Sequence, residues 1–354
     1  MTIQQNEKGR NIYLHHAKDN NDMSIYPIDM SSFLTLPHCT FDIENVPYHV
    51  SSREYHPTTI VQYALAHWNR YLFTREEHHR SVFLAQAQWL VEHEVCIGDD
   101  AGGWPISTAH PDVHSTGSWL SALAQGCALS VLIRSHQLTA NDIFLEVAHR
   151  VVCTFKRDIL DGGVGAPLGE NGVFFEEVAV YPASHRLSGY IFALFGLYDY
   201  VALTDDAQIK QLIQHSHATM HCLLDEFDVG FWTITDLLHR HLSSPAHFTF
   251  QIELLEALAT WTLCECCSTV IARWKGYQHN IGCRLRHLFA ARCSSFGRTF
   301  LSRIRTMLFP GAQTSDSLRV CIPVTSFPCT GGIQTVLEGI AQVTKDLWHI
   351  EYLA

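Results

Sequence analysis

The 354-residue sequence lacks any uncharged apolar run of roughly 18 residues or more, the length at which a segment becomes a candidate for crossing a bilayer. We therefore predict no transmembrane helix. The first 22 residues are polar and contain no apolar segment of the kind that a secretory signal requires. Twelve cysteines in a chain without such a signal are expected to be reduced. These features predict a cytoplasmic location.

Acidic residues are absent from 271–310, which carries eight Arg and Lys residues although the whole chain has a net charge of −11. Apolar and cationic residues alternate there at helical spacing, which favours weak contact of 284–305 with an anionic membrane surface or a polyanionic glycan. Such contact would place the protein peripherally at the inner membrane face. A solvated cationic helix packed on the main domain is the alternative. Without a nucleic-acid-binding motif, no nucleic-acid partner is expected.

Apolar residues recur at helical spacing in eight segments that form four consecutive pairs. The segments are 58–73 with 78–93, 118–136 with 142–155, 186–203 with 206–224, and 248–263 with 267–277. The first members of the pairs begin 60 to 68 residues apart. We predict a mainly α-helical (α/α) toroid, an incomplete α/α barrel of helix hairpins whose first helices line the inside. Long loops between the pairs argue against a plain helical bundle.

Composition suggests four parts: an N-terminal extension (1–50), the toroid domain (51–285), a basic segment with a linker (286–318), and 319–354. The last part reads as a strand, a Gly-Gly turn, a helix and the start of another strand. It resembles the opening of a GT-B glycosyltransferase of family 4, which implies a truncated transferase or a broken fusion. One βα unit cannot bury its own faces, so we expect residues 313–354 to be poorly packed or to borrow a partner.

Two adjacent carboxylates, Glu176 and Glu177, lie in the apolar stretch GVFFEEVAVYP at 172–182. Charged residues inside such a stretch are usually paired or used. Burial beside Phe174 and Phe175 would raise a carboxyl pKa toward the range useful for proton transfer. A carboxylate satisfied by an arginine or by loop amides is the alternative.

Several motifs resemble the D-glucuronyl C5-epimerase family, and together they cover roughly residues 25–285. They are GGWPI (102–106), SWLSALAQGCALSVLIR (118–134), FFEEVAVYP (174–182), LSGYIFALFGLYDY (187–200) and RWKGY (273–277). The resemblance implies an (α/α) toroid isomerase that acts on uronic acid residues within a polysaccharide. Epimerisation needs a base to remove the C5 proton, neutralisation of the adjacent carboxylate, and an acid on the opposite face. A uronate lyase would use the same carbanion.

By this resemblance, Glu177 is the predicted catalytic base or acid, and Glu176 is its neighbour. The family commonly has a tyrosine directly after the Glu pair, where this chain has Val178, with Tyr181 three residues further on. Another family tyrosine is replaced by His247, and histidine is a competent acid or base near neutral pH. Tyr181 and His247 therefore complete the predicted catalytic set.

Predicted substrate-binding residues combine aromatic rings that stack on sugars with polar groups that recognise a uronate. They are Trp104, Trp119, Arg186, Asp236, His239 and Gln251. Further departures from the family pattern leave a decayed glycan-binding pseudoenzyme open; they are Ser188, Thr235, Phe248 and Gln251. A glycoside hydrolase would need a second acid across the cleft. The candidates for it are Asp99, Asp100 and Asp236.

No metal or other cofactor is expected from the sequence. The histidine pairs 215/217 and 239/241 are interpreted as ordinary polar-face residues, and His78 and His79 as solvated turn residues. Cys264, Cys266 and Cys267 have no matching ligand pair at zinc-finger spacing. The expected partner is a uronic-acid-containing, heparan sulfate-like polysaccharide in exopolysaccharide biosynthesis. Protein partners left open are a glycosyltransferase, separate or fused, and a second copy in a homodimer.

Overall fold

The computed structural model describes residues 2–5, 11–14, 24–107, 117–168, 172–262 and 265–291. The chain divides into two compact units, Met1–Arg284 and Leu285–Ala354. The glycosyltransferase-like segment 319–354 and most of the basic segment lie outside the described residues. Apart from residues 285–291, all of the features below belong to the first unit.

Each of the eight segments with helical periodicity is a helix over nearly the predicted residues, and the protein is mainly helical. The four hairpins are α1 (Pro57–Thr74) with α2 (Glu77–Glu92), α3 (Ala122–Thr139) with α4 (Asp142–Cys153), α5 (Leu187–Thr204) with α6 (Ala207–Leu223), and α7 (Pro245–Thr262) with α8 (Glu265–His279). Residues 281–291 are also helical.

Antiparallel two-stranded β-hairpins occupy the connections and the N-terminal region of the described chain. They are β1 (Thr2–Gln5) with β2 (Asn11–Leu14), β3 (Cys39–Phe41) with β4 (Pro47–His49), β5 (Val95–Ile97) with β6 (Ala101–Gly103), and β7 (Gly165–Leu168) with β8 (Gly172–Phe175). In the last of these, Gly165 faces Phe175 and Leu168 faces Gly172. The Glu pair therefore follows directly from the end of β8.

The first helices of the pairs form an inner row in which α1 packs on α3, α3 on α5, and α5 on α7. Each second helix packs on its own partner. α3 and α5 are apolar on nearly every side and are buried almost throughout, as a central helix should be. Length and composition would allow α5 to cross a bilayer, but 72% of it is buried inside the protein. This arc of inner and outer helices is consistent with an incomplete α/α toroid.

α3 and α5 cross in direct backbone contact at two glycines. A Cβ atom on Gly126 would lie 2.6 Å from the Ala193 Cα, and one on Gly196 would lie 2.1 Å from the Gly126 carbonyl oxygen. Side chains at either position would force the helices apart. Farther along the same interface, Arg134 of α3 and Asp199 of α5 form an ion pair in which Arg134 is completely buried.

Three of the hairpins turn through a residue in the left-handed backbone region that is not glycine. Arg75, Ala140 and Asp205 have φ values of 59°, 54° and 58°. Each donates its backbone N–H to the carbonyl four residues earlier, at 2.7–2.9 Å, which ends the helix as a left-handed cap does. The short polar turns predicted from the sequence therefore carry backbone strain.

Replacing Ala140 with glycine is expected to raise the free energy of unfolding by about 1 kcal/mol. The left-handed conformation costs an L-residue roughly 1–2 kcal/mol, part of which is offset by the larger backbone entropy that glycine loses on folding. Urea denaturation measures the change. The matched control is Ala218→Gly at an exposed position inside α6, which should lower the free energy of unfolding by about 1 kcal/mol. A loss of stability in Ala140→Gly would contradict the strain argument.

Candidate functional site

The β7–β8 hairpin places the two predicted carboxylates between α3 and the start of α5. The Glu176 backbone N–H donates to the Val164 carbonyl at 2.8 Å, and its own carbonyl accepts from the Ala122 N–H at 2.9 Å. Phe174 and Phe175 are fully buried, and their rings stack on Tyr190 of α5 with centroids 4.4 and 5.8 Å away. The two phenylalanines before the Glu pair thus anchor this segment to the core.

Glu176 is fully buried and anchors the loop that leads into α5. Its carboxylate accepts from the Ser184 N–H at 3.1 Å, the Ser184 hydroxyl at 3.2 Å and the His185 N–H at 2.9 Å. The His185 Nδ1 lies 2.5 Å from the other oxygen. These contacts match the alternative in which loop amides satisfy a carboxylate. The catalytic role of Glu176 stays a prediction, and its fully buried carboxylate offers no oxygen that a substrate could reach.

Glu177 differs from its neighbour because its side chain is 23% exposed. It accepts a hydrogen bond from the Gly189 N–H, and its Oε1 lies 3.8 Å from Nη1 of Arg186. Gly189 is the third residue of α5, so the carboxylate occupies the positive end of the helix dipole. This approach requires a glycine, since a Cβ there would lie 2.4 Å from the Glu177 Cβ.

The pKa of Glu177 is raised above its ordinary value. Burial raises it most, the Arg186 charge and the Gly189 hydrogen bond lower it, and the Glu176 charge adds a smaller increase. A partly exposed carboxyl group with a raised pKa is suited to exchange protons with a substrate near neutral pH.

His247 and Arg186 complete this cluster at the start of α5. The His247 Nε2 lies 3.3 Å from the Ser188 hydroxyl. Burial lowers the pKa of His247, and the nearby Arg186 charge lowers it further. Its imidazole is therefore neutral and can accept a proton. Arg186 lies close enough to affect both Glu177 and His247, and its backbone pairs with Asp236.

Asp236 is fully buried and is held by its own loop. It accepts from the His239 N–H at 2.5 Å, the Thr235 hydroxyl at 3.0 Å and the His241 Nδ1 at 3.3 Å. Burial raises the pKa of Asp236, but the hydrogen bonds from His241, His239 and Thr235 outweigh it and hold the pKa below its ordinary value. Asp236 is thus a fixed anion behind two partly exposed imidazoles, His239 and His241, either of which a substrate could reach.

Three predicted binding residues lie in the protein interior. Trp104 is 2% exposed and donates its Nε1–H to the Leu90 carbonyl at 3.0 Å. Gln251 is fully buried, accepts from the Thr233 hydroxyl at 2.5 Å and donates to the Ile234 carbonyl at 2.9 Å. Neither exposes a surface on which a sugar could lie. Trp119 is 9% exposed and packs against Val178, which follows the Glu pair.

Tyr181 is 48% exposed. Its hydroxyl donates to Asp158 at 3.5 Å, and limited burial, followed by the Asp158 charge, raises its pKa. It is therefore a protonated phenol. Of the acids considered for a hydrolase, Asp100 forms an exposed ion pair with Arg157, and Asp99 is exposed.

A cavity of ≈ 470 Å³ lies along α7 and α8, and none of the predicted site residues lines it. Its charged lining residues are Glu253, Glu256, Lys275 and Arg284. Sequence reasoning also missed Gly189 and His185, which position Glu177 and Glu176. The sequence does hold a signal for Gly189, because it is a glycine at the third position of the helix that follows the acidic pair.

Comparison with known proteins identifies the family. Residues 98–276, just over half of the chain, match the family described as the D-glucuronyl C5-epimerase C-terminus. The matched range contains the β7–β8 hairpin, the Glu pair and the helices α3 to α7 together with most of α8. The chain belongs to this family.

Two curated relatives extend the comparison. The D-glucuronyl C5-epimerase of Caenorhabditis elegans is 30% identical over 235 residues, which are 60% of this chain and 37% of that protein. An uncharacterized protein of Methanocaldococcus jannaschii is 21% identical over 155 residues, 43% of this chain and 50% of that protein. The chain spans between about a third and a half of the length of these relatives. The matches do not support the glycosyltransferase resemblance of 319–354.

Solved structures give weaker likenesses. A GH76 α-mannanase from Bacteroides thetaiotaomicron aligns with a TM-score of 0.45 and 10% identity over 68% of this chain and 63% of that one. The endo-β-1,4-glucanase CMCax from Acetobacter xylinum aligns with a TM-score of 0.43 and 12% identity over 68% and 74%. At these scores neither likeness bears on the function of this chain.

Proposed function

We propose that this chain is a uronosyl C5-epimerase-like domain that acts on D-glucuronyl residues within a polysaccharide. The observation that carries the proposal is Glu177, a partly exposed carboxyl group with a raised pKa at the start of α5, beside a cation and a neutral imidazole. Membership of the epimerase family supplies the reaction class. The surrounding chemistry matches what removal of an α-carboxylate proton requires.

In this proposal Glu177 exchanges the C5 proton on one face of the sugar, and His247 serves the opposite face. Arg186 pairs with the uronate carboxylate and stabilises the negative charge that develops there when the proton leaves. When His247 is neutral and Glu177 carries its proton, His247 removes the C5 proton and Glu177 returns a proton to the opposite face. This leaves His247 protonated and Glu177 ionised, which is the state that runs the reverse inversion. Tyr181, a protonated phenol on the exposed side, is the second candidate for the acid.

A non-catalytic glycan-binding protein is the competing proposal, and a specific observation favours it. Glu177 also caps α5 through Gly189 and pairs with Arg186, which are structural tasks that need no chemistry. Phe248, at a position where family members have a histidine, is fully buried. A uronate lyase would use the same groups but would eliminate the 4-O substituent.

Deuterium exchange at C5 separates these proposals. The purified full chain is incubated in deuterated water with a heparan sulfate-like polymer that contains glucuronate. Deuterium at C5 without chain cleavage supports the epimerase, and new unsaturated ends support the lyase. Retained polymer binding without either change supports the glycan-binding protein. No exchange, cleavage or binding with glucuronate polymers would overturn the substrate class.

Gly189→Ala is expected to reduce C5 exchange by about 100-fold, because an error of about 1 Å in a reacting group has effects of that size. The added Cβ would lie 2.4 and 2.7 Å from the Glu177 Cβ and Cγ, so that side chain must move. Gly276→Ala in α8 is the matched control, since nothing lies within 4 Å of its added Cβ. Equal exchange rates in the two variants would show that the position of Glu177 is irrelevant.

The remaining expectations form part of the same proposal. The inner row of helices belongs to an (α/α) toroid. The polymer lies across the start of α5. The protein acts in the cytoplasm, where the basic segment contacts an anionic membrane surface during exopolysaccharide synthesis. Fractionation of cells and vesicle-binding assays with and without 284–305 test this location. A homodimer and a glycosyltransferase partner are tested by light scattering and co-purification.

A further inference from the structure

The α1–α2 hairpin brings three histidines together, away from the residues of the proposed active site. His67 lies on α1 and is 4% exposed, whereas His78 and His79 lie in the first turn of α2. The sequence alone predicts that the latter two are solvated. The structure places His79 against His67, with its side chain only 15% exposed.

Ring nitrogens of the three histidines lie close to one another. Nδ1 of His79 lies 2.9 Å from Nδ1 of His67, and one nitrogen from each of the three rings lies within 4.8 Å of the others. In a tetrahedral zinc site with nitrogens about 2.0–2.1 Å from the metal, neighbouring nitrogens lie about 3.3 Å apart. The inner pair needs to open by a few tenths of an ångström, and exposed His78 can close by rotation.

A carboxylate lies behind one of these rings. Oε2 of Glu76 is 3.4 Å from Nε2 of His79, the nitrogen on the far side of the ring from His67. Metal-bound histidines usually donate their other ring N–H to such a carboxylate, which fixes the tautomer and strengthens the ligand. The nearby cations are Arg80, which pairs with Glu77 at 2.6 Å, and Arg70, whose charge acts on His79.

Without an ion, this arrangement packs three imidazoles against one another, and burial disfavours the charged form of the inner two, His67 and His79. Burial, with His79 and then His78 adding to it, lowers the pKa of His67 to about 3. Burial also lowers the pKa of His79, and neutral imidazole is the form that binds transition metals. His67 and His79 share one hydrogen bond between their Nδ1 atoms, and a divalent cation would replace this single contact with bonds to three nitrogens.

We propose that His67, His78 and His79 bind a divalent transition-metal ion of the zinc type, with water in the fourth position. Such an ion would join the start of α2 to the middle of α1 and hold the first hairpin closed. Its chemistry is that of a three-histidine site with an outer carboxylate. The proposal does not depend on the proposed function.

Two other clusters within the described residues carry less weight. Asp236, His239 and His241 lie within 4.8 Å of one another, but the Asp236 oxygens already accept from His239, Thr235 and His241. His221, Cys266 and Cys267 also lie within 4.8 Å of one another, but each of them already has a partner in the protein. Both clusters therefore enter the experiment as competing sites.

Metal binding is measured on the full chain, stripped with a chelator and titrated with Zn²⁺ against a competing dye. Cobalt(II) absorption then reports the geometry and shows whether a thiolate is bound. We expect one tight equivalent in the parent chain and no thiolate-to-cobalt transition. His78→Gln and His79→Gln should each weaken binding by at least about 100-fold, more than the 10–100-fold typical of losing an outer partner.

Glu76→Gln, which removes the outer carboxylate, should weaken binding by about 10-fold. His215→Ala, at an exposed position on α6, is the matched control and should leave it unchanged. The proposal is overturned if the parent chain binds no tight equivalent of Zn²⁺, or if His78→Gln binds Zn²⁺ as tightly as the parent. It is also overturned if the parent shows a thiolate-to-cobalt transition and Cys266→Ser loses the tight equivalent. Because His78 is exposed, its variant keeps the test valid even if His79→Gln fails to fold.

Discussion

Replacing Glu177 with glutamine is expected to lower C5 proton exchange by about 10²–10⁴-fold, the range that a positioned general acid or base contributes. Glutamine keeps the size of the side chain and an oxygen that can accept from Gly189. It cannot carry the exchanged proton. The measurement is the rate of deuterium incorporation at C5 of a glucuronate polymer, with binding of the same polymer measured in parallel and expected to change little.

The same substitution should leave the fold at least as stable near neutral pH. The pKa of Glu177 is raised in the folded chain, so the folded state binds this proton more tightly than the unfolded state does. Stability therefore falls as pH rises from the ordinary glutamate pKa through the folded value. Glu177→Gln removes this fall, and urea denaturation at several pH values should show a flatter profile than that of the parent chain.

A residue that serves only as a helix cap would behave differently. Its replacement would lower stability at neutral pH and would leave exchange unchanged. Glu226→Gln is the matched control, because Glu226 is 61% exposed and lies 3.7 Å from Arg240. Exchange in Glu177→Gln that equals exchange in this control would remove Glu177 from the mechanism.

Replacing Asp199 with alanine is expected to lower the free energy of unfolding by about 3–5 kcal/mol, the range for breaking a buried ion pair by removing one partner. Arg134 is completely buried, and its Nη1 and Nη2 lie 2.5 and 3.2 Å from the two Asp199 oxygens. The Ser130 hydroxyl donates to the same carboxylate at 2.6 Å. Alanine would leave the guanidinium charge inside the α3–α5 interface without its counter-ion.

A double variant tests whether the lone charge is the cause. Arg134→Met with Asp199→Leu removes both charges and fills the volume, and such exchanges are often neutral or stabilising. The double variant should recover most of the free energy of unfolding that Asp199→Ala loses, as measured by urea denaturation. Glu226→Ala, which breaks an exposed pair with Arg240, should change stability by less than about 1 kcal/mol. If Asp199→Ala lowers the free energy of unfolding by no more than Glu226→Ala does, the buried pair contributes no more than a surface pair.

The helices could be predicted from the sequence to within a few residues, because the 3.6-residue period of a buried face is a local property. Three hairpin turns were also correctly located. Their left-handed residues, such as Ala140, could not be predicted, since no glycine marks them. The sequence predicts only a long loop where the β7–β8 hairpin lies, because its strands are four residues each.

The candidate site was predictable only in part. The family resemblance favours Glu177 over Glu176, but only the structure gives a physical difference between them, because Ser184 and His185 surround the carboxylate of Glu176. Trp104 and Gln251 resemble binding residues in the sequence, yet packing buries both. Nothing in the sequence marks His67 as a ligand, because its partner histidines lie in the next helix.

Periodicity and motif order alone thus determined the mainly helical class, the four hairpins and the epimerase family. Tertiary structure decided which carboxylate stays reachable, which aromatic residues are core, and which histidines meet. The physical reason is range. A helix depends on neighbours within a few residues. The environment of Glu177 depends on Arg186, Gly189 and His247, which lie up to 70 residues further along the chain. Only packing brings these residues together.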